Sequence, residues 1–597
     1  MLKLELKTKH ELLNEAELNK LNQGLAGTLA SEFRAETTDI AWEAEQIAKS
    51  HGIYLEFNRA KSGKEKDWFY MIRIGIPGGQ PLSPQQWALL DDLAERYAVN
   101  PQGQASLRLT TRQAVQFHWV SKQGVLEIVK RTAESGLFSL NACGDNVRNV
   151  LACPHSHHQT HFNGHDWARK MAHFFQLPLE PFFQVWAIDP NPDAEPPSEH
   201  FAYGPGLLNR KFKIAVGSIL KDETGQWIQD NCTELRTNDL GFSPILSGDE
   251  VTHFQVYVGG GQGEKNGKPT ASILAEPLAK IQLDQLLPVA EAIVATHQEW
   301  GDRHNRHWAR LKYVIKQQGI TWFREQVQSR LDFPMADPDP QHDVGSRHLH
   351  HGWFQQADNG LWSYGLFVEN GRLTDTSPHG KLKSLVRTLS ETYQSDLILT
   401  ANQDLLFTNI PEASKAAFER DLNLLGRQPE LHFSSLRLQS GACVGRDTCR
   451  LAYTDSEQFE PELIETLEAR GLGDLNTSIG ITGCERQCFR PATKAIGLIG
   501  SGLNRYLFKF FGTEDARNQG VPLRHDGRTY LNSVPRERVA DVIEVLALWY
   551  REESRPETSF GYFLRDQGVY SILNQLENHP KTADLLLKTI PTGGLIL

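Results

Sequence analysis

The chain has no apolar run of about 18 residues, the length a helix needs to cross a bilayer, so no membrane span is expected. The longest candidate, around Val542–Tyr550, is too short and reads as a buried helix. The start, MLKLELKTKHELL, alternates charge with leucine and lacks the apolar core of a secretion signal. Cysteine is scarce, with seven in 597 residues. An odd count without a secretion signal excludes a disulfide framework as the first expectation and favours a reducing, cytoplasmic setting. An excess of positive charge is also missing: the formal net charge of −11 argues against a general nucleic-acid binder, leaving room only for a local basic pocket. No dinucleotide- or flavin-binding fingerprint is present. Gly259-Gly260-Gly261 follows the apolar strand Phe254–Val258, but the next residues, GEKNGKP, cannot start a helix.

What is present is an ordinary globular composition, 40% hydrophobic and 23% charged. The length suggests roughly three to five domains. Two acidic, proline-rich stretches, Asp189–His200 and Leu331–Asp343, support neither helix nor central strand. The second reads as a domain linker. Between them, Leu283–Leu331 is largely helical by period, with the clearest amphipathic spacing over Trp308–Phe323.

An internal repeat organises the rest. Trp68–Val120 reads strand, turn, helix over Pro84–Tyr97, strand, strand. From Trp362 the order recurs, with a helix over Gly380–Gln394 and then LILTANQDLLFTNI. Leu109-Thr110-Thr111-Arg112-Gln113 lies over Leu399-Thr400-Ala401-Asn402-Gln403, and Phe117 over Phe407. Each copy continues into a helix, near Gly124–Gly136 and Glu412–Leu425. This is a duplicated α+β unit packed as pseudo-twofold halves. Arg108, Arg112 and His118 of the first copy face Ile398, Asn402 and Thr408 of the second, so only the first keeps charged ligands.

Four cysteines crowd together as Cys443-x5-Cys449, 34 intervening residues, and Cys484-x3-Cys488. Four thiolates are what a [4Fe–4S] cube requires. The spacing lacks the short C-x2-C knuckles of a zinc ribbon. Four buried structural thiols, or zinc, are the competing readings at this point.

Here the sequence resembles the sirohaem-dependent sulfite/nitrite reductase family, from His51 to beyond the second cysteine pair. The resemblance implies that Cys443, Cys449, Cys484 and Cys488 hold a [4Fe–4S] cluster, with Cys488 also bridging to sirohaem iron. The family usually reads T-G-C-P-N-x-C; this chain has Thr482-Gly483-Cys484-Glu485-Arg486-Gln487-Cys488. Charges at Glu485 and Arg486 should shift the cluster's potential.

By the same resemblance Arg73, Arg148, Lys211 and Lys213 form the catalytic anion pocket. Arginine and lysine suit an oxyanion that must be clamped and protonated. Strand alternation in LNRKFKIAV would put Lys211 and Lys213 on one face, a costly arrangement unless an anion sits between them; solvent-facing edge lysines are the alternative. Arg108, Thr111, Arg112, Gln116 and His118 match the family's sirohaem-binding strand pair, and the arginines can pair bidentately with the macrocycle's carboxylates. Salt bridges on a surface β-ladder would be the bland account. Gly259–Gly261 resembles the family's glycine loop near the macrocycle.

Lys211-Phe212-Lys213 looks like the sulfite version of the pocket, whereas Asp145-Asn146-Val147-Arg148-Asn149 is closer to the nitrite type. The expected function is six-electron reduction of sulfite to sulfide, with nitrite reduction to ammonia as the alternative. A tetrapyrrole-processing iron–sulfur enzyme of cobalamin biosynthesis is the remote one. The donor is expected to be a ferredoxin or a flavoprotein subunit, with no nucleic-acid or membrane partner.

The histidines of Cys153-Pro154-His155-Ser156-His157-His158, with His161, could bind zinc, but no carboxylate partner stands out; His348, His350 and His351 read the same way. Cys143, Cys153 and Cys232 read as packing residues, the first two near the macrocycle because they flank Arg148. The expected fold is α+β: duplicated ferredoxin-like half-units plus two mixed α/β cofactor-binding lobes with pseudo-twofold symmetry. The expected division is 1–135 (N-terminal segment and first half-repeat), 136–335 (sirohaem/substrate lobe), 345–428 (second half-repeat) and 429–597 ([4Fe–4S]/sirohaem lobe).

Overall fold

The structure is a computed structural model that describes residues 6–59, 66–189, 200–222, 224–265, 268, 270–555 and 557–592. In the first half-unit the β-rich segment Trp68–Gly75 pairs antiparallel with Ile53–Phe57 on one side and Ala114–Val120 on the other. The helix Pro84–Tyr97 starts where Ser83 and Gln86 cap one another reciprocally, with proline at the first helical position. The helix Lys122–Glu134 starts at Ser121, whose hydroxyl accepts from the Gly124 amide. The second half-unit repeats this order: Trp362–Leu366, the helix Leu382–Tyr393, Leu397–Leu399, Leu405–Ile410 and the helix Lys415–Leu424.

The halves exchange backbone. Arg372–Leu373 of the second adds antiparallel to Leu107 and Arg108 of the first, and Leu82 of the first bridges to Leu397 of the second. Both exchanged residues follow matching 3₁₀ turns, Pro77–Gly79 and Glu369–Gly371. The final glycines of these turns have φ of +68° and +71°, and a Cβ on Gly79 would meet the Leu399 carbonyl oxygen of the second half at 2.6 Å. That turn packs directly on the opposite half.

The two lobes repeat a second pattern that no shared residue run announces. The middle lobe orders its strands Leu151–Ala152, Ile214–Val216, Leu240–Ser247, Glu250–Val258 and Glu276–Gln282. Its first two pairings are parallel and the last two antiparallel. The C-terminal lobe orders Gly441–Ala442, Ile479–Thr482, Ile496–Gly502, Arg505–Lys509 and Val534–Pro535 with the same sequence of parallel and antiparallel pairs. Cys153 and Cys443 therefore occupy equivalent places, each one residue beyond a two-residue first strand.

One apolar core spans the half-units and the middle lobe, from Leu29 to Leu422. The C-terminal lobe builds its own, from Leu436 to Leu586. It includes the helix Val539–Glu553, which covers the expected Val542–Tyr550 segment.

Two expectations need correction. Leu283–Leu331 is largely helical, as expected, in the helices Leu286–Trp300, Leu311–Gln318 and Ile320–Gln328, but the amphipathic stretch Trp308–Phe323 is not one helix: it begins in an irregular segment at 301–310 and is broken by Gly319 at φ +89°. Arg303 and Arg310 in that stretch are buried on partners elsewhere in the fold, which overrides the local period. Lys211–Lys213 precedes the strand, which begins at Ile214; only Phe212 makes a bridge, to Val147. Of Asp189–His200, residues 190–199 lie outside the described residues. Residues 331–343 contain no helix or strand.

Candidate functional site

The strand pair 107–109 and 114–120 of the first half-unit faces the C-terminal lobe. Arg108 is 5% exposed; its Nη2 donates to the Ala442 carbonyl at 3.0 Å, and Nε lies 3.7 Å from a Glu457 carboxylate oxygen. Thr111 Oγ1 donates to the Cys488 carbonyl at 3.3 Å. The first strand and the turn after it therefore touch the two cysteine segments, one each. His118 Nδ1 sits 3.2 Å from Arg372 Nη1. Burial, then the charge of Arg372, holds the His118 pKa well below its ordinary value, so the ring is neutral. Arg372 itself grips Glu457 at 2.7 and 3.0 Å. The exchanged strand thus supplies a charge to the site.

Arg112 reaches the other way. It donates to the Asn149 carbonyl at 3.1 Å and 2.5 Å, to Asn238 Oδ1 at 2.8 Å and to the Ile214 carbonyl at 3.1 Å. Asn149 Nδ2 returns a bond to the Arg112 carbonyl at 2.7 Å. Arg73 Nη1 lies 2.8 Å from Cys143 Sγ, and Gln116, with its amide oxygen turned toward Arg73, accepts from Nη2 at 2.6 Å. Arg148 donates from Nε and Nη2 to the Gly144 carbonyl at 3.2 and 3.0 Å.

Lys211 and Lys213 flank Phe212, which is fully buried. Neither ammonium donates to a protein acceptor among the described residues. Burial, then the charges of Arg148 and Arg210, pushes the Lys211 pKa well down; burial, then Arg112 and Arg310, does the same to Lys213. Carrying charge there requires an anion. All four expected catalytic cations thus fall in one mutually repelling group that extends to Arg112. A cleft lined by Tyr54, Arg148, Arg210 and Arg306 among others adjoins it.

Several members of this group were not singled out in the sequence. Arg306 chelates Asp145 at 2.8 and 3.1 Å, and Arg310 grips fully buried Asp239 at 2.8 Å. Both come from the irregular stretch after Gly301. Its run of arginine and histidine was the available signal.

The four clustered cysteines also converge. Burial and then the other thiols raise the pKa of Cys443 and Cys484; burial and then Glu56 raise that of Cys449. Thiols so placed ionise only beside concentrated positive charge, which an iron–sulfur cube supplies. Gly483 donates its amide to Cys443 Sγ at 3.2 Å, a bond that suits a thiolate ligand. Cys443 and Cys449 are partly buried, Cys484 is buried and Cys488 is exposed. Glu485 is buried, 3.6 Å from Lys265 of the middle lobe. The donor set fits a [4Fe–4S] cluster, and the unneutralised cations beside it fit a polycarboxylate macrocycle.

Cys143 does lie beside the site, on Arg73. Cys153 meets Asp230 at 3.0 Å and His350 at 3.7 Å. Asp230 is the carboxylate partner that sequence reading did not find.

The family model "Nitrite/Sulfite reductase ferredoxin-like half domain" matches residues 62–135 and 354–425, one segment on each half-unit. The model "Nitrite and sulphite reductase 4Fe-4S domain" matches residues 143–335; the clustered cysteines lie outside that match. The "Sulfite reductase [NADPH] hemoprotein beta-component" of Chromohalobacter salexigens is 31% identical over 565 residues, 91% of this chain and 93% of that protein. The protein of the same name from Geobacillus kaustophilus is 30% identical over 588 residues, 95% of this chain and 98% of that protein. The solved structure of the Mycobacterium tuberculosis NirA protein shares the fold, with a TM-score of 0.75 over 94% of this chain and 98% of that one, at 23% identity. With both half-units and the middle lobe matched and relatives spanning nearly its whole length, the chain belongs to the nitrite and sulfite reductase family, oxidoreductases that work with sirohaem and a [4Fe–4S] cluster.

Proposed function

We propose that this chain reduces sulfite to sulfide with six electrons received from a separate protein donor. The observation that carries the substrate is the Lys211/Lys213 pair: two half-buried amines without protein acceptors among the described residues, beside Arg148, that hold their charge only with an anion bound. A dianion gains more from a second cation than a monoanion does. Curated relatives named as sulfite reductase components support the same choice.

Cys443, Cys449, Cys484 and Cys488 would hold the cluster, and Arg108, Thr111, Arg112, Gln116 and His118 the macrocycle. When bound, these groups supply the electrons at the reacting sulfur. The chain's own residues do the rest. Arg73, Arg148, Lys211 and Lys213 hold the oxyanion and exclude a neutral competitor. Each oxygen leaves as water and must take up two protons. Lys211 and Lys213 donate readily, because burial and neighbouring cations weaken their hold on the proton. Arg148 stays charged; burial opposes its charge, but Tyr54 and Cys143 raise its pKa overall. It acts as a fixed clamp.

The donor is expected to be a ferredoxin or a flavoprotein subunit, since no nucleotide fingerprint occurs in the chain. A cytoplasmic location follows from the same reading. No described helix is long and apolar enough to cross a membrane. The test is oxidation of reduced methyl viologen by the anaerobically purified protein, with sulfite and then nitrite. Efficient turnover of sulfite at low KM supports the proposal; efficient turnover of nitrite alone overturns the substrate.

A further inference from the structure

A second set of metal-ligand side chains lies outside the site described above. Cys153, Asp230, Cys232 and His350 present one ligand atom each, all within 4.8 Å of one another. Cys153 and Cys232 are each 1% exposed, the Asp230 side chain is fully buried and the His350 side chain is 4% exposed. They come from three separate places: the residue after strand Leu151–Ala152, the end of strand Trp227–Asp230, and the segment entering strand Gly352–Gln355 of the second half-unit.

The distances have the scale of a coordination sphere. Cys153 Sγ is 3.7 Å from His350 Nε2 and 3.0 Å from Asp230 Oδ2, and His350 Nε2 is 3.1 Å from the same oxygen. A tetrahedral zinc with bonds of about 2.0 Å to nitrogen and oxygen and about 2.3 Å to sulfur separates its ligand atoms by roughly 3.3–3.8 Å. The observed edges fall within a few tenths of an ångström of that range.

Charge points the same way. Two thiols and a carboxylate share a dry space, and no lysine or arginine among the described residues pairs with Asp230, whose ion-pair partners are His348 and His350. A divalent cation offsets two of the three negative charges of two thiolates and a carboxylate, where hydrogen bonds alone leave the carboxylate crowded by sulfur. A supporting shell exists as well. His348 Nδ1 lies 3.1 Å from Asp230 Oδ1, which also accepts from the Cys232 amide at 3.0 Å, and the His155 ring packs 4.2 Å from that of His350. His350 holds a φ of +62°, a strained choice for this residue that brings its ring to Asp230. Finally, Cys153 is the topological counterpart of Cys443, a residue of the cysteine cluster in the other lobe.

We propose that Cys153, Asp230, Cys232 and His350 bind one zinc ion as a closed structural site. With four protein ligands and full burial, no position is left for substrate. The ion clamps the segment entering the second half-unit onto the middle lobe, where Asn231 already donates to the Ser346 carbonyl at 2.8 Å. The inference does not depend on which anion is reduced.

Zinc and iron are measured by plasma mass spectrometry on the anaerobically purified holoenzyme, with zinc K-edge absorption on the same sample. About one zinc per chain, bound by two sulfur and two lighter atoms, is expected in addition to the cofactor iron. Cys232→Ser and His350→Ala should lose the zinc while cofactor iron stays. His348→Ala, which keeps all four ligands, should weaken zinc retention about 10–100-fold. Wild-type protein that carries no stoichiometric zinc after exposure to zinc chloride overturns the proposal. So does zinc ligated by four sulfurs, or a Cys153–Cys232 disulfide in the unreduced intact mass. Wild-type analysis decides the matter even if a variant fails to fold.

Discussion

Gln113 of the first half-unit donates its side-chain amide to the Leu399 carbonyl of the second at 2.8 Å. The same side chain donates to the Ala152 carbonyl at 2.9 Å and accepts from the Ala152 amide at 3.0 Å, so it joins both half-units to the middle lobe. Its counterpart, Gln403, makes a single side-chain bond, to the Asn370 carbonyl of its own half at 3.0 Å. Gln113→Leu strands three buried backbone groups and is expected to cost about 3 kcal/mol, against about 1 kcal/mol for Gln403→Leu. Thermal unfolding of the two holoenzyme variants checks this. Equal midpoints would mean that the joint carries no special load.

Substrate choice should move with Lys213. Replacing it with asparagine removes one of the two unneutralised cations and should lower kcat/KM for sulfite by about tenfold or more while affecting nitrite less, a difference of about 1.4 kcal/mol in transition-state stabilisation. Steady-state rates with both anions on one preparation decide it; equal losses would remove the charge argument.

Cys443→Ala should abolish the cluster. The variant is expected to lose about four iron atoms per chain, together with acid-labile sulfide and viologen-linked activity. Retention of full cluster iron would show that Cys443 is not a ligand.

Acid should weaken the fold through His51. This ring is buried, with Nε2 2.7 Å from the Leu25 carbonyl and Nδ1 accepting from the Trp186 indole at 3.0 Å. Burial lowers its pKa to about 4, the Leu25 bond opposing only in part. The folded state therefore holds the neutral ring, and the unfolded chain takes up a proton first as pH falls. The contribution is complete above pH 6.5 and drains between about 6.5 and 4, by about 3 kcal/mol. Urea midpoints at pH 7 and pH 5 should differ more for wild type than for His51→Gln, which can keep both hydrogen bonds without titrating. Parallel curves would assign the acid sensitivity elsewhere.

The half-units were legible in the sequence because their repeat preserves both element order and a residue run, from Leu109 to Gln113 over Leu399 to Gln403. The lobes repeat just as faithfully in topology, but their first strands are two residues long and share little beyond an Ala-Cys step. Alternation cannot be read in so short a strand. Arg73, Arg148, Lys211 and Lys213 emerged from resemblance, not periodicity. Arg306 and Arg310 did not emerge, since they leave an irregular segment whose conformation is set by buried partners far away in the chain. The Asp230 carboxylate escaped for a related reason: it sits 77 positions from Cys153, and only the sheet brings them together.

The backbone exchange between the halves bears on how the chain is made. Leu107–Leu109 is an outer strand until Arg372–Leu373 arrives on it. A ribosome must add more than 260 residues before that row of amides and carbonyls is covered. A nascent chain stalled anywhere between offers an open template to neighbouring polypeptides. Aggregation during synthesis should therefore be worst for truncations ending just before residue 372 and should fall sharply once the two residues beyond it have emerged.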